Sequence, residues 1–549
     1  MMTTDFTEKT KQLIDSLKGV CTTYGLGNDG NEFKIITNSF LYKFLNDKFS
    51  FEAKQIDKRL NDAGKDWTEV LKTYNDNDYS LLQLRLGANC AKFKKEHFLS
   101  YLFNHQNDAE FAKTFDDTLR DIANDNNDVF SVKTEGGAKI TLFEPISNYI
   151  SDPDKRNDFC RAIVNKLIEF SFEEIFVQKF DFFSAIFEYM IKDYNKDGGG
   201  KYAEYYTPHA VAQIMAAILV DDNVQDVTCY DPSAGSGSLL MSLAHAVGEN
   251  KCTLYSQDIS QKSSNLLRLN LILNNLIHSI PNVIQGNTLT DPYHKDSNGT
   301  LGKFDYIVSN PPFKLDFSDY HAKLISDANK KRFFAGIPNI PKKDVDKMAI
   351  YLCFLQHIIG SLSKKGKAAV VVPTGFITAQ SGIEKKIREK LVEEKMLRGV
   401  VSMPSNIFAT TGTNVSVLFI DKTNTEGNVV LADASKLGET IKDGKNQRTF
   451  LRDCEEQKIV AAFKNKTPVE DFAVVISYNE IKEKNYSLSA GQYFDIKIEY
   501  VDITPEQFEE KMNAYKANLA SLFAESAALE KEIMRQLEGL KYEGCEIEK

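Results

Sequence analysis

Apolar residues recur at three- and four-residue spacings through the first third of the chain. Residues 40–56 (FLYKFLNDKFSFEAKQI) and 156–172 (RNDFCRAIVNKLIEFSF) show it most clearly, and the spacing predicts helices. Clusters rich in Gly, Asp and Asn at 25–30, 75–78 and 124–128 punctuate them. After Gly198-Gly199-Gly200 the texture changes. Short β-rich runs now alternate with helical patterns: DVTCYD, TLYSQD, NVIQGN, FDYIVSN, KAAVVVP, LRGVVSMP and NVSVLFID. Seven strands with helices between them predict an α/β domain with a mostly parallel sheet over roughly 170–425. Residues 426–500 are mixed. From Thr504 a long helix is expected, with Thr as N-cap, Pro505 at the first helical position and Gln507 closing a capping box. Phe508, Met512, Tyr515, Leu519, Leu522, Leu529, Ile533, Leu537 and Leu540 form a heptad-like stripe along it, with Ser526 in the one polar slot.

Length sharpens this into domains. At 549 residues the chain is too long for one ordinary domain. The expected division is a helical N-terminal domain (1–170), a sheet-bearing domain (171–425), a mixed extension of it (426–500) and a C-terminal helix for partner docking (501–549), packing on its own chain being the alternative for that helix. No apolar run approaches the roughly 20 residues of a membrane span, and the start MMTTDFTEKTKQ lacks an apolar signal core, so a cytoplasmic location is expected. The eight cysteines are scattered without zinc spacing, so no metal site is expected. The net charge of −10 argues against a free-standing DNA binder, because phosphate contacts need clustered cations. Local clusters do occur at Lys330-Lys331-Arg332, Lys342-Lys343 and Lys364-Lys365-Lys367, each of which could equally be solvated surface. A DNA enzyme with this charge would borrow affinity from a basic partner.

Candidate chemistry begins at Asp231-Pro232-Ser233-Ala234-Gly235-Ser236-Gly237-Ser238, between the run VTCYD and the apolar LLMSLAHAV. This is a strand, a loop of small residues, then a helix start. Gly and Ala let a ligand approach the backbone, and the first helical N–H groups face it. The segment matches neither GxxxxGK[ST] nor GxGxxG, and the phosphate-binding Lys is absent. A loop receiving the methionine part of a cofactor fits better. The next strand ends at Asp258, where an acidic residue commonly accepts from ribose hydroxyls. The third ends NVIQGNTL, which puts Asn287 and Leu289 at the cofactor's adenine end.

The fourth run leads straight into Asn310-Pro311-Pro312-Phe313. Two prolines cannot continue a strand, so the chain turns at the sheet edge and presents a stiff Asn with an aromatic three residues on. An amine conjugated to an aromatic ring is a poor nucleophile. The Asn310 side-chain oxygen and the Pro311 carbonyl could accept its two N–H groups and free the lone pair for attack on a methyl sulfonium. Phe313 could stack on the base, which must leave the duplex to arrive. Alone, such a turn is ordinary. Downstream of the cofactor loop and in strand order, it reads as a catalytic motif.

These residues resemble the N6-adenine amino-methyltransferases, whose motif is [DNS]PP[YFW]. The chain resembles in particular the modification (methylation) subunit of type I restriction-modification systems. The resemblance rests on KYAEYYTPHAV (201–211), DPSAGSGSLL, YSQD, SNPPF, GKAAVVVPTGFI, VVSMPSNIFATTGTNVSVLFI and NYSLSAGQYFD (485–495), and spans about 170–500. It implies an α/β, Rossmann-like S-adenosylmethionine-dependent methyltransferase domain, with a helical N-terminal domain and a coiled-coil-like C-terminal tail. It also implies that Glu204, Tyr205, Tyr206, Thr207, Pro208 and His209 cover the cofactor. The implied partners are double-stranded DNA, a specificity subunit, a second copy of this chain and, in some systems, a nuclease/translocase restriction subunit; no membrane is implied. Two positions depart from the family: Asp258 stands where the family often has Glu, and Asn287 where many relatives carry Asp. Residues 314–346, irregular and rich in Lys, are expected to close over DNA. The competing expectations are methylation of a protein glutamine, N4-methylation of cytosine, and a non-catalytic assembly component.

Overall fold

The computed structural model describes residues 2–27, 30–61, 66–173, 175–176, 186, 189, 207–408, 414–443, 446–494 and 503–538. The chain divides into two units, Met1–Phe494 and Asp495–Lys549.

The seven β-rich runs form β3 (Val227–Asp231), β4 (Cys252–Asp258), β5 (Val283–Gln285), β6 (Phe304–Ser309), β7 (Leu362–Pro373), β8 (Leu397–Ser402) and β9 (Val415–Asp421). Every residue of β9 is buried, which suits an unbroken apolar run covered on both faces. In β6 and β7 alternate residues serve opposite faces. Tyr306, Val308, Ala369 and Val371 join one apolar cluster, while Ile307, Ala368, Val370 and Val372 join the other.

Four further strands extend the sheet to eleven. β10 (Val429–Asp433) and β13 (Ala473–Ile476) lengthen one edge, β1 (Val132–Thr134) and β2 (Lys139–Ile140) the other. The order is β13-β10-β8-β9-β7-β6-β3-β4-β5-β1-β2. β1 pairs in parallel with β5, Lys133 opposite Ile284 and Thr134 opposite Gln285. The region before residue 170 is therefore not wholly helical: it adds a hairpin to the sheet. The pairings from β5 to β7 are parallel, and β9 runs antiparallel between β7 and β8. A separate hairpin, β11 (Glu439–Asp443) and β12 (Asn446–Phe450), follows β10.

The helices Met2–Thr23, Gly30–Ile56, Phe111–Asp125 and Arg156–Ile168 build the N-terminal region. Its core is aromatic: Phe93 stacks on Phe98 at 5.4 Å, and Phe49 meets Phe98 at 5.0 Å. This core is continuous with one face of the sheet, which fixes β1 beside β5.

The second unit carries the helix Pro505–Glu538. Its start is a reciprocal cap: the Gln507 N–H donates to Thr504 Oγ1 at 3.3 Å, and the Thr504 N–H donates to Gln507 Oε1 at 3.1 Å. No residue of the helix is buried, so its apolar stripe has no partner among the described residues of this unit. Leu540 lies outside the described residues. Among the described residues no helix is long and apolar enough to cross a membrane.

Candidate active site

From β3 the chain winds one way through β4 and β5, and the other way through β6 and β7. The order reverses between β3 and β6, and a crevice opens there beyond the carboxyl ends of the strands. Asp231 ends β3, Asp258 ends β4, and Asn310 follows β6. Parallel pairing brings all three to the same edge.

Five short hydrogen bonds shape these strand ends and tie them together. Asp231 Oδ1 accepts from the Ser233 N–H at 2.9 Å, turning the chain sharply. Ser233 Oγ and Ser309 Oγ share a bond of 2.7 Å, which fixes the β3 loop to the residue before Asn310. Thr288 Oγ1 donates to the Pro232 carbonyl at 2.7 Å. Asp258 Oδ2 accepts from the Gly235 N–H at 2.9 Å, and Oδ1 from the Ser260 N–H at 2.8 Å. Gly237 has φ of +85°, and a Cβ there would run into the Leu267 side chain. Only glycine lets the loop turn into the helix Ser238–Val247.

One cavity gathers these groups. Thr207, Asp231, Pro232, Ser233, Ala234, Gly235, Ser238, Asp258, Asn287, Leu289, Asn310 and Pro312 all line it. Pro208, His209, Ser236, Gly237, Pro311 and Phe313 lie outside the lining. Phe313 is half-buried and meets Tyr351 edge-on at 6.2 Å. Glu204, Tyr205 and Tyr206 lie outside the described residues. Asn287 is engaged locally: its Oδ1 accepts from the N–H groups of Leu289 at 3.0 Å and Thr290 at 3.3 Å.

The lining also includes residues that sequence reasoning passed over: Leu239, Ile259, Thr288, Leu315, Tyr320, Ile350 and Phe354. Ile259 carried a local signal, as an apolar residue directly after the acidic strand end; it is 59% exposed. Leu315 and Tyr320 come from the irregular segment after the motif, and Ile350 and Phe354 from around the next helix. No periodicity marks them as neighbours of the loop at 231–238.

Two carboxyls give the cavity its electrostatics. Burial pushes the Asp231 carboxyl up to about 8, with Asp258 adding to the rise and the Ser233 hydrogen bonds opposing it. Burial also raises Asp258, against its two backbone N–H donors. Two of the basic clusters each turn one member inward and leave their other lysines exposed. Arg332 is buried, and so is Lys367, whose Nζ sits 2.6 Å from Asp221 and 3.5 Å from Asp421. Lys330 pairs with Asp327 at 2.6 Å.

Residues 178–500 match the protein family described as N-6 DNA Methylase. The chain is 30% identical over 355 residues to the methylase subunit of the type I restriction enzyme MpnII of Mycoplasma pneumoniae. That alignment covers 63% of this chain and 62% of the relative, so the chain spans less than two thirds of that protein. It is 26% identical to the HindI methylase subunit of Haemophilus influenzae, over 66% of this chain and 79% of the relative. Among solved structures, a type I restriction-modification methyltransferase subunit from Streptococcus thermophilus superposes with a TM-score of 0.69 at 21% identity. That match covers 89% of this chain and all (100%) of the other. A modification subunit of a type I enzyme from Vibrio vulnificus superposes at 0.52 with 17% identity, over 88% and 96% of the two chains. Both likenesses bear on the fold.

Proposed function

Because this chain belongs to the N-6 DNA methylase family, we propose that it transfers a methyl group from S-adenosylmethionine to N6 of a flipped adenine in double-stranded DNA, as the modification subunit of a type I restriction-modification complex. One observation carries the reading. The Asp231–Gly235 loop and the Asn310–Pro312 turn line a single cavity at the topological switch point, joined by the Ser233–Ser309 bond.

The cavity suits the cofactor chemically. The N–H groups at the start of the helix Ser238–Val247, beside a loop with positive-φ Gly235 and Gly237, leave room for a carboxylate-bearing tail. Asp231 is at hand for a cation. Each Asp258 oxygen spends one lone pair on a backbone N–H and keeps one for a ribose hydroxyl. Exposed Ile259 gives a purine an apolar surface. When bound, the cofactor supplies an electrophilic methyl on a sulfonium. The protein's share is orientation. Asn310 Oδ1 and the Pro311 carbonyl accept the two N–H groups of the adenine amine and direct its lone pair into the cavity. Phe313 packs beside the entering base; its edge-on contact with Tyr351 keeps the ring in place.

The relatives are named as subunits, which supports assembly with a specificity subunit and a second copy of this chain, with a restriction subunit in systems that cut. The unpartnered stripe on Pro505–Glu538 is the surface for that docking. DNA modification of this kind places the protein in the cytoplasm. The deciding experiment is base-resolved methylation sequencing of cells carrying this gene with and without its neighbours. N6-methyladenine in a two-part motif, appearing only with a partner gene, is the expected result. Its absence in every combination would remove the DNA substrate and reopen methylation of protein.

Asp231 makes cofactor binding pH-dependent. A carboxyl at about 8 is mostly protonated at neutral pH. A cationic ligand favours its ionised form, so binding expels a proton and affinity rises with pH towards 8, levelling off above it. The cofactor's own amine titrates near 7.7–8.0, so the contrast with Asp231→Asn isolates the carboxyl. Calorimetry between pH 6 and 9 should show a shallower slope in the variant, the remainder belonging to Asp258 and the ligand. Parallel slopes in the two proteins would mean that Asp231 does not titrate with binding.

A further inference from the structure

Two charged side chains from outside the strand–helix repeat grip the backbone just after β5. The first is Glu135, in the β1–β2 turn. Its Oε2 accepts from the Asn287 N–H at 2.8 Å, and its own N–H donates to the Gln285 carbonyl at 2.8 Å. Gly286 leaves the space for it, since a Cβ there would collide with the Glu135 carboxylate. The second is Arg332, in the segment after the catalytic motif. Its guanidinium donates to the carbonyls of Leu289 and, at 3.5 Å, of Thr288.

Arg332 is built for a fixed position. It is 8% exposed, and its guanidinium carbon lies 4.4 Å from the centroid of the Phe333 ring. Leu289 packs into a small separate core with Phe317, Leu324, Phe333, Ile350 and Phe354, all from residues 314–354. This segment, expected from sequence to close over DNA, thus forms the back of the cavity wall. Glu135 fixes one end of that wall through an N–H, Arg332 the other through two carbonyls. The peptide planes from Asn287 to Leu289 are set from both sides before any ligand arrives. Neither Glu135 nor Arg332 lines the cavity.

We propose that Glu135 and Arg332 are positioning residues that set affinity for the cofactor by holding the Asn287–Leu289 wall, leaving the rate of methyl transfer to the Asn310 turn. The proposal rests on S-adenosylmethionine as the ligand of this cavity. A preformed wall spares the ligand the cost of ordering it, so loosening the wall should appear in binding.

The test is calorimetric titration of the full-length protein with S-adenosylmethionine, beside steady-state methylation by the assembled complex. Glu135→Ala and Arg332→Met should each bind roughly tenfold more weakly, the size of one charge-assisted hydrogen bond. Glu135→Gln keeps an acceptor oxygen and should recover most of the affinity. Arg332→Lys supplies donors without the planar fork and should fall between. In turnover, KM for the cofactor should rise while kcat at saturating cofactor and KM for DNA hold. A purely structural role would lower the folded fraction and kcat per total protein, and leave KM unmoved. Should Arg332→Met fail to fold, Glu135→Ala, at an exposed side chain, decides alone. A wild-type protein that binds no S-adenosylmethionine overturns the cofactor assignment itself. Wild-type binding matched by every folded variant overturns the positioning role only.

Discussion

Replacing Asn310 with alanine is expected to lower kcat for methyl transfer by roughly 10²–10³-fold, the usual loss when one preorganised polar contact to a reacting group is removed. Cofactor affinity should change little. The separation follows from the architecture. Asn310 stands at the cavity's edge just after β6, whereas the loops at 231–238 and 258–260 are held by bonds that never involve its side chain. Alanine keeps the extended backbone that Pro311 demands and removes only the acceptor oxygen. The adenine amine then keeps one acceptor, the Pro311 carbonyl, and its lone pair stays conjugated with the ring. Asn310→Asp restores an acceptor and should recover part of the rate. Single-turnover transfer of labelled methyl to DNA, with calorimetry for the cofactor, separates the two steps. Unchanged turnover in a complex that binds cofactor and DNA normally would remove Asn310 from the reaction and favour a non-catalytic role for the motif.

Much of this site could be read along the chain because its parts are local. A strand, a small-residue loop and a helix start are consecutive, so the spacing around Asp231–Ser238 carries its own geometry. The same holds for Asn310–Phe313, where two prolines dictate the turn. The rest depends on contacts distant in sequence. β1 and β2 are three and two residues long, and take their strand form from lying beside β5; no periodicity can show in so few residues. Tyr320, Ile350 and Phe354 reach the cavity through a separate small core. Charge was the poorest guide. Lys330-Lys331-Arg332 reads either as a phosphate-contacting cluster or as solvated surface; Arg332 turns inward to backbone carbonyls, while Lys330 stays on the surface beside Asp327. Sequence counts cations but does not show which way they point. Asn287 illustrates the same limit. As a neutral residue it could both accept from and donate to an adenine, but its oxygen serves the N–H groups of Leu289 and Thr290. That oxygen shapes the wall, and the residue still lines the cavity.

Asp258→Asn should weaken cofactor binding by roughly 30- to 1,000-fold, or about 2–4 kcal/mol, although the two side chains have the same shape. Each carboxylate oxygen accepts one backbone N–H, from Gly235 and from Ser260. An amide has one oxygen. Whichever way it turns, its NH₂ faces an N–H, a donor against a donor in a buried site, and one amide loses its partner. If Gly235 loses, the β3 loop is released from β4; if Ser260 loses, the chain entering the helix Gln261–Leu273 is. The ribose also loses a charged acceptor. Glutamate keeps both oxygens but carries them one methylene further from the two amides. Asp258→Glu should therefore bind better than Asp258→Asn and worse than wild type. Thermal melts with and without S-adenosylmethionine read both effects at once. The asparagine variant should melt lower unliganded and gain little from the cofactor. A full ligand-induced shift in that variant would mean that Asp258 only ties the loops together and does not hold the ribose.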